Sequence, residues 1–443
     1  MKLIRILIPA LCGLAACDPV PQVDPTEAFK GLVINEVAAH ENSDGFDTWV
    51  EILNTTDKSI ALDGLSFFIT DSYFKGQKIG DLSGSLAAGE RKVISSSDRG
   101  LKTGISSADP FTLVLGPDAQ NAVDSFERTE DTKPLGAFAS YQRIPDGSGE
   151  LRKLTYSSPG RENVVFDLSK TRPTAVWAWG SHLSDLISDN GAKMREMKDK
   201  GYDHILMNYA GFHNKNYRQQ AIKFIQIADE IGLAVHVWLQ CFYDGGWISP
   251  IDDDKKAYKE EVFERIRNEA TAYLEDWGVK GVHLDYIRFG GTASKHNINA
   301  EVNSVGAVNR CFRELREIAD SYGEGLVMSA ALMPEPNTEY AYGQNPAQMG
   351  EYIHVLMPME YRYSYGWSDD RCKSLTDWFC DHSGGAQVWA GITTYTGNDS
   401  GGVKGMDAES MRRDIDIFMD SKADGLVLFR YGLGTFPDVN DLK

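Results

Sequence analysis

Between Gly31 and Asn163 the apolar residues come in short runs: LVINEVA, TWVEILN, LSFFITD, RKVISSS, FTLVLG and NAVDSFE. Turns rich in Gly, Asp and Asn, such as Asp63-Gly64 and Asp146-Gly147, cut them apart. This spacing predicts an all-β sandwich of roughly seven short strands over 31–163. After a connector at 164–173, VVFDLSKTRP, the period changes. Eight strand-like runs follow, at 174–180, 203–210, 233–240, 279–289, 325–335, 352–362, 386–395 and 423–432. Amphipathic helical stretches such as Arg218–Ile231, Ala257–Trp277, Val305–Tyr322 and Ala408–Ser421 lie between them. Eight such units in about 270 residues predict an α/β fold, a (β/α)8 TIM barrel over 174–443.

The chain begins differently. Residues 1–17, MKLIRILIPALCGLAAC, carry two basic residues, a short apolar run and small residues before a cysteine. That pattern predicts an export signal, with an apolar core too short to span a bilayer and remain there. Residues 18–30 are polar and proline-bearing, as a tether would be. The formal charge of the 443-residue chain is −19, with 64 acidic and 45 basic residues. Such acidity argues against nucleic acid or an anionic lipid surface as partner and is compatible with glycans, neutral ones above all. The 9 Trp, 19 Tyr and 19 Phe supply flat faces on which sugar rings could stack. The six cysteines lack the paired short spacing of a zinc site. Phosphate-binding fingerprints and a G-x-S-x-G elbow are also missing. No metal or cofactor is therefore expected. If CKSLTDWFC is a helix, Cys372 and Cys380 lie about two turns apart, so a disulfide between them is possible but not favoured.

Candidate chemistry gathers at strand ends, because a parallel barrel carries its chemistry at the C-terminal rim. In GVHLDYIRF alternation sets Val282, Leu284 and Tyr286 on one face and His283, Asp285 and Ile287 on the other. Asp285 sits at the strand's end, with Arg288 close behind. Two more acids end strands, Glu335 after the fifth and Glu360 on the sixth. Three rim carboxyls form the constellation that glycoside hydrolysis requires, one to protonate the leaving oxygen and one to attack or to activate water. His283 and Arg288 beside Asp285 are expected to hold it ionised, as nucleophile or base. The apolar Met357, Pro358, Met359 and Tyr361 around Glu360 are expected to raise its pKa and suit it to donate the proton. Glu335 is the reserve acid. Trp177, Trp179, Asn208, His236, Trp238, Gln240, Tyr361, Tyr395 and Arg430 join His283 and Arg288 as expected substrate-binding residues. Glu36 and Glu51, a conceivable calcium pair, are expected on solvated sandwich edges. Asp252, Asp253 and Asp254 are expected to cap a helix start.

Three segments resemble known families. Leu14-Ala15-Ala16-Cys17 resembles the lipobox of bacterial lipoproteins, which implies lipid attachment at Cys17 and residence at the cell envelope, on the periplasmic side or the cell surface. LVINEV, WVEILN, LDGLSFFITD, SYQRIPDGSG and SSPGREN resemble the lamin-tail domain, an immunoglobulin-like fold. GVHLDYIRF, VLMPMEYRY, WAGITTY and ADGLVLFRYG resemble glycosyl-hydrolase-like TIM-barrel families of bacterial envelope proteins, although Lys280 stands where those families usually have Asp. That resemblance implies carbohydrate hydrolysis with Asp285 in the active site, and it does not carry over the acid partner.

The combined expectation is an exported, lipid-anchored glycoside hydrolase acting on a poly- or oligosaccharide. The rivals are a non-catalytic glycan-binding lipoprotein with a degenerate barrel, and a lyase or deacetylase. Cys17→Ser is expected to abolish lipid attachment. Fractionation of the variant into the soluble or unprocessed pool checks this, and an unchanged membrane fraction counts against it.

Overall fold

A computed structural model describes residues 24–40, 46–129, 135–165, 172–322, 325–398 and 402–442. Cys17, the export segment, the start of the tether and the middle of the 164–173 connector lie outside the described residues.

The first unit is a sandwich of antiparallel sheets. A five-stranded sheet runs in the order Glu150–Leu154, Ser140–Ile144, Leu32–Ala38, Trp49–Asn54 and Arg91–Ser95. A four-stranded sheet runs Lys75–Asp81, Ser66–Thr70, Phe111–Gly116 and Asp124–Arg128. Alternation sends Ile34, Val50 and Ile52 from one sheet, and Phe67, Ile69, Leu113 and Leu115 from the other, into a shared core. The described strands outnumber the expected seven, because polar stretches such as Lys75–Asp81 pair along the backbone without an apolar run to announce them.

Glu36 and Glu51 are not on solvated edges. They lie opposite each other in the Leu32–Ala38 and Trp49–Asn54 pairing, where a register shift between Ile34 and Glu36 interrupts the ladder. Both are fully buried. Glu36 accepts hydrogen bonds from Ser140 Oγ at 2.6 Å and from the Ser158 amide at 2.9 Å. Glu51 accepts from Asn35 Nδ2 at 2.8 Å and from the Gly160 amide at 2.7 Å. The two acids thus bind the segment leaving the sandwich back onto its sheet. Desolvation outweighs these bonds and pushes the Glu36 carboxyl up to about 8.

The second unit is the expected closed barrel, with all eight parallel strands in chain order. They are Thr174–Ala178, His204–Asn208, Ala234–Gln240, Gly281–Asp285, Val327–Leu332, Val355–Pro358, Gln387–Thr393 and Gly425–Phe429. The first and last close the ring, Trp177 pairing with Phe429. Helices Arg218–Ile231, Glu260–Trp277, Ser304–Ser321, Asp369–Asp381 and Ala408–Met419 cover the outside. Asn303, Ser368 and Asp407 cap three of them, each side chain accepting from a backbone amide of the first turn. Asp252–Asp254 differ from expectation. They sit at the turn between Ile251–Asp252 and Ala257–Tyr258, and the helix starts only at Glu260. Cys372 and Cys380 are free thiols.

Side chains sort into two shells. Ala175, Trp177, Leu206, Trp238, Val327, Val355, Met357, Trp389 and Val427 fill the barrel's interior. Val176, Ile205, Val237, Val282, Leu284, Leu356 and Leu428 face the helices. At the N-terminal end, His204 Nδ1 and His236 Nε2 are 2.9 Å apart. Gly281 makes room there, since a Cβ on it would come within 2.1 Å of His236 Nδ1.

The sandwich packs against this same N-terminal end. Phe138 stacks on Trp277, with centroids 6.2 Å apart. Gly278 ends the helix at φ +56°, and a Cβ on it would meet Phe138 at 2.3 Å. Lys280, in place of the acid usual in the resembling families, lies 4.9 Å over the Tyr156 ring and 3.4 Å from Asp229 Oδ1.

The buried Glu36 makes sandwich stability depend on pH. An unfolded glutamate titrates near 4.5, and the folded one near 8. Between those values the native state holds the extra proton, so stability falls as pH rises through the window. Glu36→Gln, which mimics the protonated form, is expected to flatten that decline, as read from denaturation midpoints between pH 5 and 8.

Candidate active site

The C-terminal mouth of the barrel holds a cavity of about 620 Å³. Trp179, Trp238, Asp285, Arg288, Tyr361, Tyr395 and Arg430 line it, as expected from the sequence. Tyr286, Met333, Met359, Ser364, Tyr365, Val403, Phe429 and Leu433 complete the wall. Among the described residues, Asp285 is the one carboxylate in the lining.

Asp285 ends the fourth strand on its inner face and is only 8% exposed. Its Oδ2 accepts the Trp238 indole N–H at 3.0 Å, and its Oδ1 accepts the Tyr286 amide at 2.7 Å. Each bond to the ionised form contributes about 1.5–3 kcal/mol, whereas desolvating a carboxylate costs several kcal/mol. Desolvation wins, and the Asp285 pKa is raised despite these two bonds and the charge of Arg288. The direction of the shift is opposite to the lowering expected from His283 and Arg288. His283 does not help ionise it. Its Nε2 accepts the Trp177 indole N–H at 3.0 Å, which leaves the proton on Nδ1, 2.9 Å from Ser329 Oγ. Fully buried, His283 is held neutral well below its usual range.

Alternation along GVHLDYIRF fails after Asp285. Tyr286 takes the left-handed conformation, φ +51°, which is rare for a bulky side chain. The Phe242 amide, donating to the Tyr286 carbonyl at 3.0 Å, holds the backbone there. Tyr286 therefore joins Asp285 in the cavity, and Ile287 turns into the shell beneath the helices. Tyr243 stacks on Tyr286 with centroids 4.6 Å apart, and Trp247 lies 5.5 Å from the same ring. Trp179 and Trp238 form a second aromatic pair at 4.5 Å, and Tyr361 stacks on Phe429 at 5.3 Å. Burial first, then the Asp285 charge, push the Tyr361 phenol well up, so it stays a hydrogen-bond donor.

Glu360 is the principal correction. Val355 and Met357 fill the barrel interior, so Leu356 and then Glu360 face outward. Glu360 is fully buried and accepts from Thr376 Oγ1 at 2.8 Å, on the covering helix Asp369–Asp381. Its pKa does rise, to about 8, through desolvation. The raised pKa was anticipated, but the group does not line the cavity. Met359, one residue earlier, occupies the wall instead. Glu335 does not line the cavity either. It lies close enough for the Arg288 charge to act on it, and its burial raises its pKa.

The remaining expected residues sit below the cavity or beside it. His236 is at the barrel floor, held neutral near 3 by desolvation, and does not reach the mouth. Trp177 fills the interior beneath the cavity. Asn208 is buried, its Oδ1 accepting from the Ala210 amide at 3.2 Å, and Gln240 is outside the lining. Met333, Met359 and Phe429 were within reach of sequence reasoning, as each continues the inner frame of its strand two residues on. No periodic signal marks Tyr286 or Tyr365. Among the described residues, no group of three His, Cys, Asp or Glu side chains is placed to hold a metal ion.

No family model matches the sequence, and no curated protein matches it. Among solved structures, the chain is similar to the spore cortex-lytic enzyme SleL of Bacillus cereus, at 12% identity and TM-score 0.44, over 66% of this chain and 76% of that one. It is also similar to a chitinase of Chromobacterium violaceum, at 10% identity and TM-score 0.40, over 60% and 96% of the two chains. A third is the Rhizomucor miehei chitinase RmChi1, at 12% identity and TM-score 0.37, over 58% and 94%. The class of this chain, a (β/α)8 barrel following an all-β sandwich, stands on its own closed ring of strands.

Glu360→Gln is expected to leave the cavity intact and to remove a stability loss between pH 4.5 and 8, by the same linkage as at Glu36. Denaturation midpoints across that range check it. A change in the near-ultraviolet signal of the mouth aromatics would count against the outward placement.

Proposed function

We propose that this chain hydrolyses a glycosidic bond in a poly- or oligosaccharide, with Asp285 as the proton donor. The observation that carries the reading is a desolvated carboxyl, its pKa raised, fixed by two hydrogen bonds in an aromatic cavity at the catalytic end of a barrel. Tyr286, Tyr361, Tyr365 and the Trp179–Trp238 pair offer flat faces to sugar rings. Asp285 gives its proton to the leaving oxygen as the bond from that oxygen to the anomeric carbon breaks. Glu335, outside the cavity lining but near enough for the Arg288 charge to act on it, is our candidate for the second carboxyl. The roles expected from the sequence are thereby redistributed. Asp285 becomes the acid, Glu335 the base or nucleophile, and Glu360 supports the barrel wall. The lamin-tail resemblance and the lipobox at Cys17 complete the proposal, in which a lipid anchor holds the enzyme at a bacterial envelope.

A second reading, glycan binding without cleavage, is favoured by the lone carboxylate in the cavity lining. Asp285→Asn separates the two. General acid catalysis contributes roughly 10²–10⁴-fold, so turnover across a glycan panel is expected to drop by that factor while the thermal midpoint stays nearly unchanged. Full activity in the variant removes Asp285 from the mechanism. Glycan binding with no turnover in the native protein selects the second reading.

A further inference from the structure

The cavity contains two guanidinium groups, and among the described residues neither has a carboxylate within ion-pair distance. This is unexpected in a chain with 64 acidic residues against 45 basic ones. Several arginines elsewhere on the barrel are ion-paired: Arg310 with Glu260 and Glu314, Arg362 with Asp369 and Asp414, Arg412 with Asp416 and Asp441. At the mouth, Arg288 is held instead by aromatic faces, 4.6 Å from the Trp247 ring centre, 5.5 Å from Tyr342 and 5.6 Å from Tyr286. Its Nε is buried without a hydrogen-bond partner. Asp285 and Glu335 feel its charge but form no ion pair with it. Arg430 lies 5.9 Å from the Trp179 ring centre, and its Nη1 is 3.4 Å from His182 Nε2. Burial and the Arg430 charge itself keep that imidazole neutral. Asp185, the acid whose charge acts on His182, is already engaged by Lys193 and Tyr431.

We propose that the cavity is built for an acidic glycan, whose carboxylate or sulfate is received by Arg288 and Arg430. This rests on the reading of the cavity as a glycan site and names the substrate class. Rings stacked on a guanidinium hold its plane and leave its N–H edge free, which prepares a fork for two oxygens of an anion. Burial also favours the neutral form of Asp285, the only acid in the wall among the described residues, so the cavity attracts anions although the chain as a whole is negative. At physiological ionic strength the long-range repulsion is screened beyond about 8 Å, and contacts inside the cavity decide the affinity.

The test is calorimetric titration of the full chain with matched pairs of oligosaccharides. One pair is a polyuronate oligomer and its carboxyl-reduced product; the other is a sulfated oligomer and its desulfated product. The acidic member of at least one pair is expected to bind about tenfold tighter or more, the ordinary scale of a charge-assisted hydrogen bond. Which pair responds distinguishes carboxylate from sulfate. Arg430→Gln and Arg288→Gln are each expected to cut the acidic-to-neutral affinity ratio about tenfold, with thermal midpoints confirming folding. Arg430→Lys, keeping charge without the fork, is expected to restore part of the ratio. Equal affinity for both members of each pair overturns the inference and leaves the glycan reading standing, as does an affinity ratio unmoved by either arginine variant. Failure of every oligosaccharide, neutral or acidic, to bind overturns both.

Discussion

A side chain on a closed barrel strand has two destinations, the filled interior or the layer beneath the helices, and each strand's two-residue frame chooses between them. Everything at the mouth follows from that choice. The inner frames of the fourth and sixth strands bring Asp285 and Met359 to the cavity, and the outer frame of the sixth buries Glu360 against Thr376. The left-handed Tyr286 breaks the rule directly after Asp285, and Arg430 breaks it directly after Phe429. The cost of an unusual backbone at a bulky residue, on the order of 1–3 kcal/mol, is offset by strand pairing that continues through the Phe242 amide and by the stacking of Tyr243. In return, two consecutive side chains reach the same cavity.

Buried acids in this chain divide by what surrounds them. Glu36 and Glu360 are pushed to about 8, yet both are surrounded by hydroxyls and apolar groups away from the cavity. Asp285 is in the wall of an open cavity, beside two arginines that have no ion-paired acid among the described residues. A raised pKa marks desolvation, and desolvation occurs in walls and in sites alike. Access to solvent space at the strand ends is what separates Asp285 from the other two.

Much of this arrangement was legible in the chain. Eight strand runs and the helices between them were readable because barrel strands are apolar on both faces and helices on one. Asp285, Arg288, Trp179, Trp238, Tyr361, Tyr395 and Arg430 were readable because they stand at strand ends. Glu360 also stands at a strand end, and it was misplaced because both faces of VLMPMEYR are apolar. Nothing in such a strand distinguishes the frame of Met357 from that of Leu356; only packing of the closed ring does. Glu36 and Glu51 were misread for a related reason, since carboxylates normally mark solvated edges and the partners that bury these come from Ser140, Ser158 and Gly160, more than 100 residues away in sequence. Tyr286 depended on a single backbone angle, which no periodicity encodes.

The contacts of Phe138, Tyr156 and Thr155 with the Trp277–Lys280 corner are all at the end where barrel strands begin. The cavity is at the end where they finish. A partner or surface that grips the sandwich therefore holds the barrel from behind and leaves the mouth turned away from it. The orientation of the working face is thus decided by a few side chains at the opposite pole.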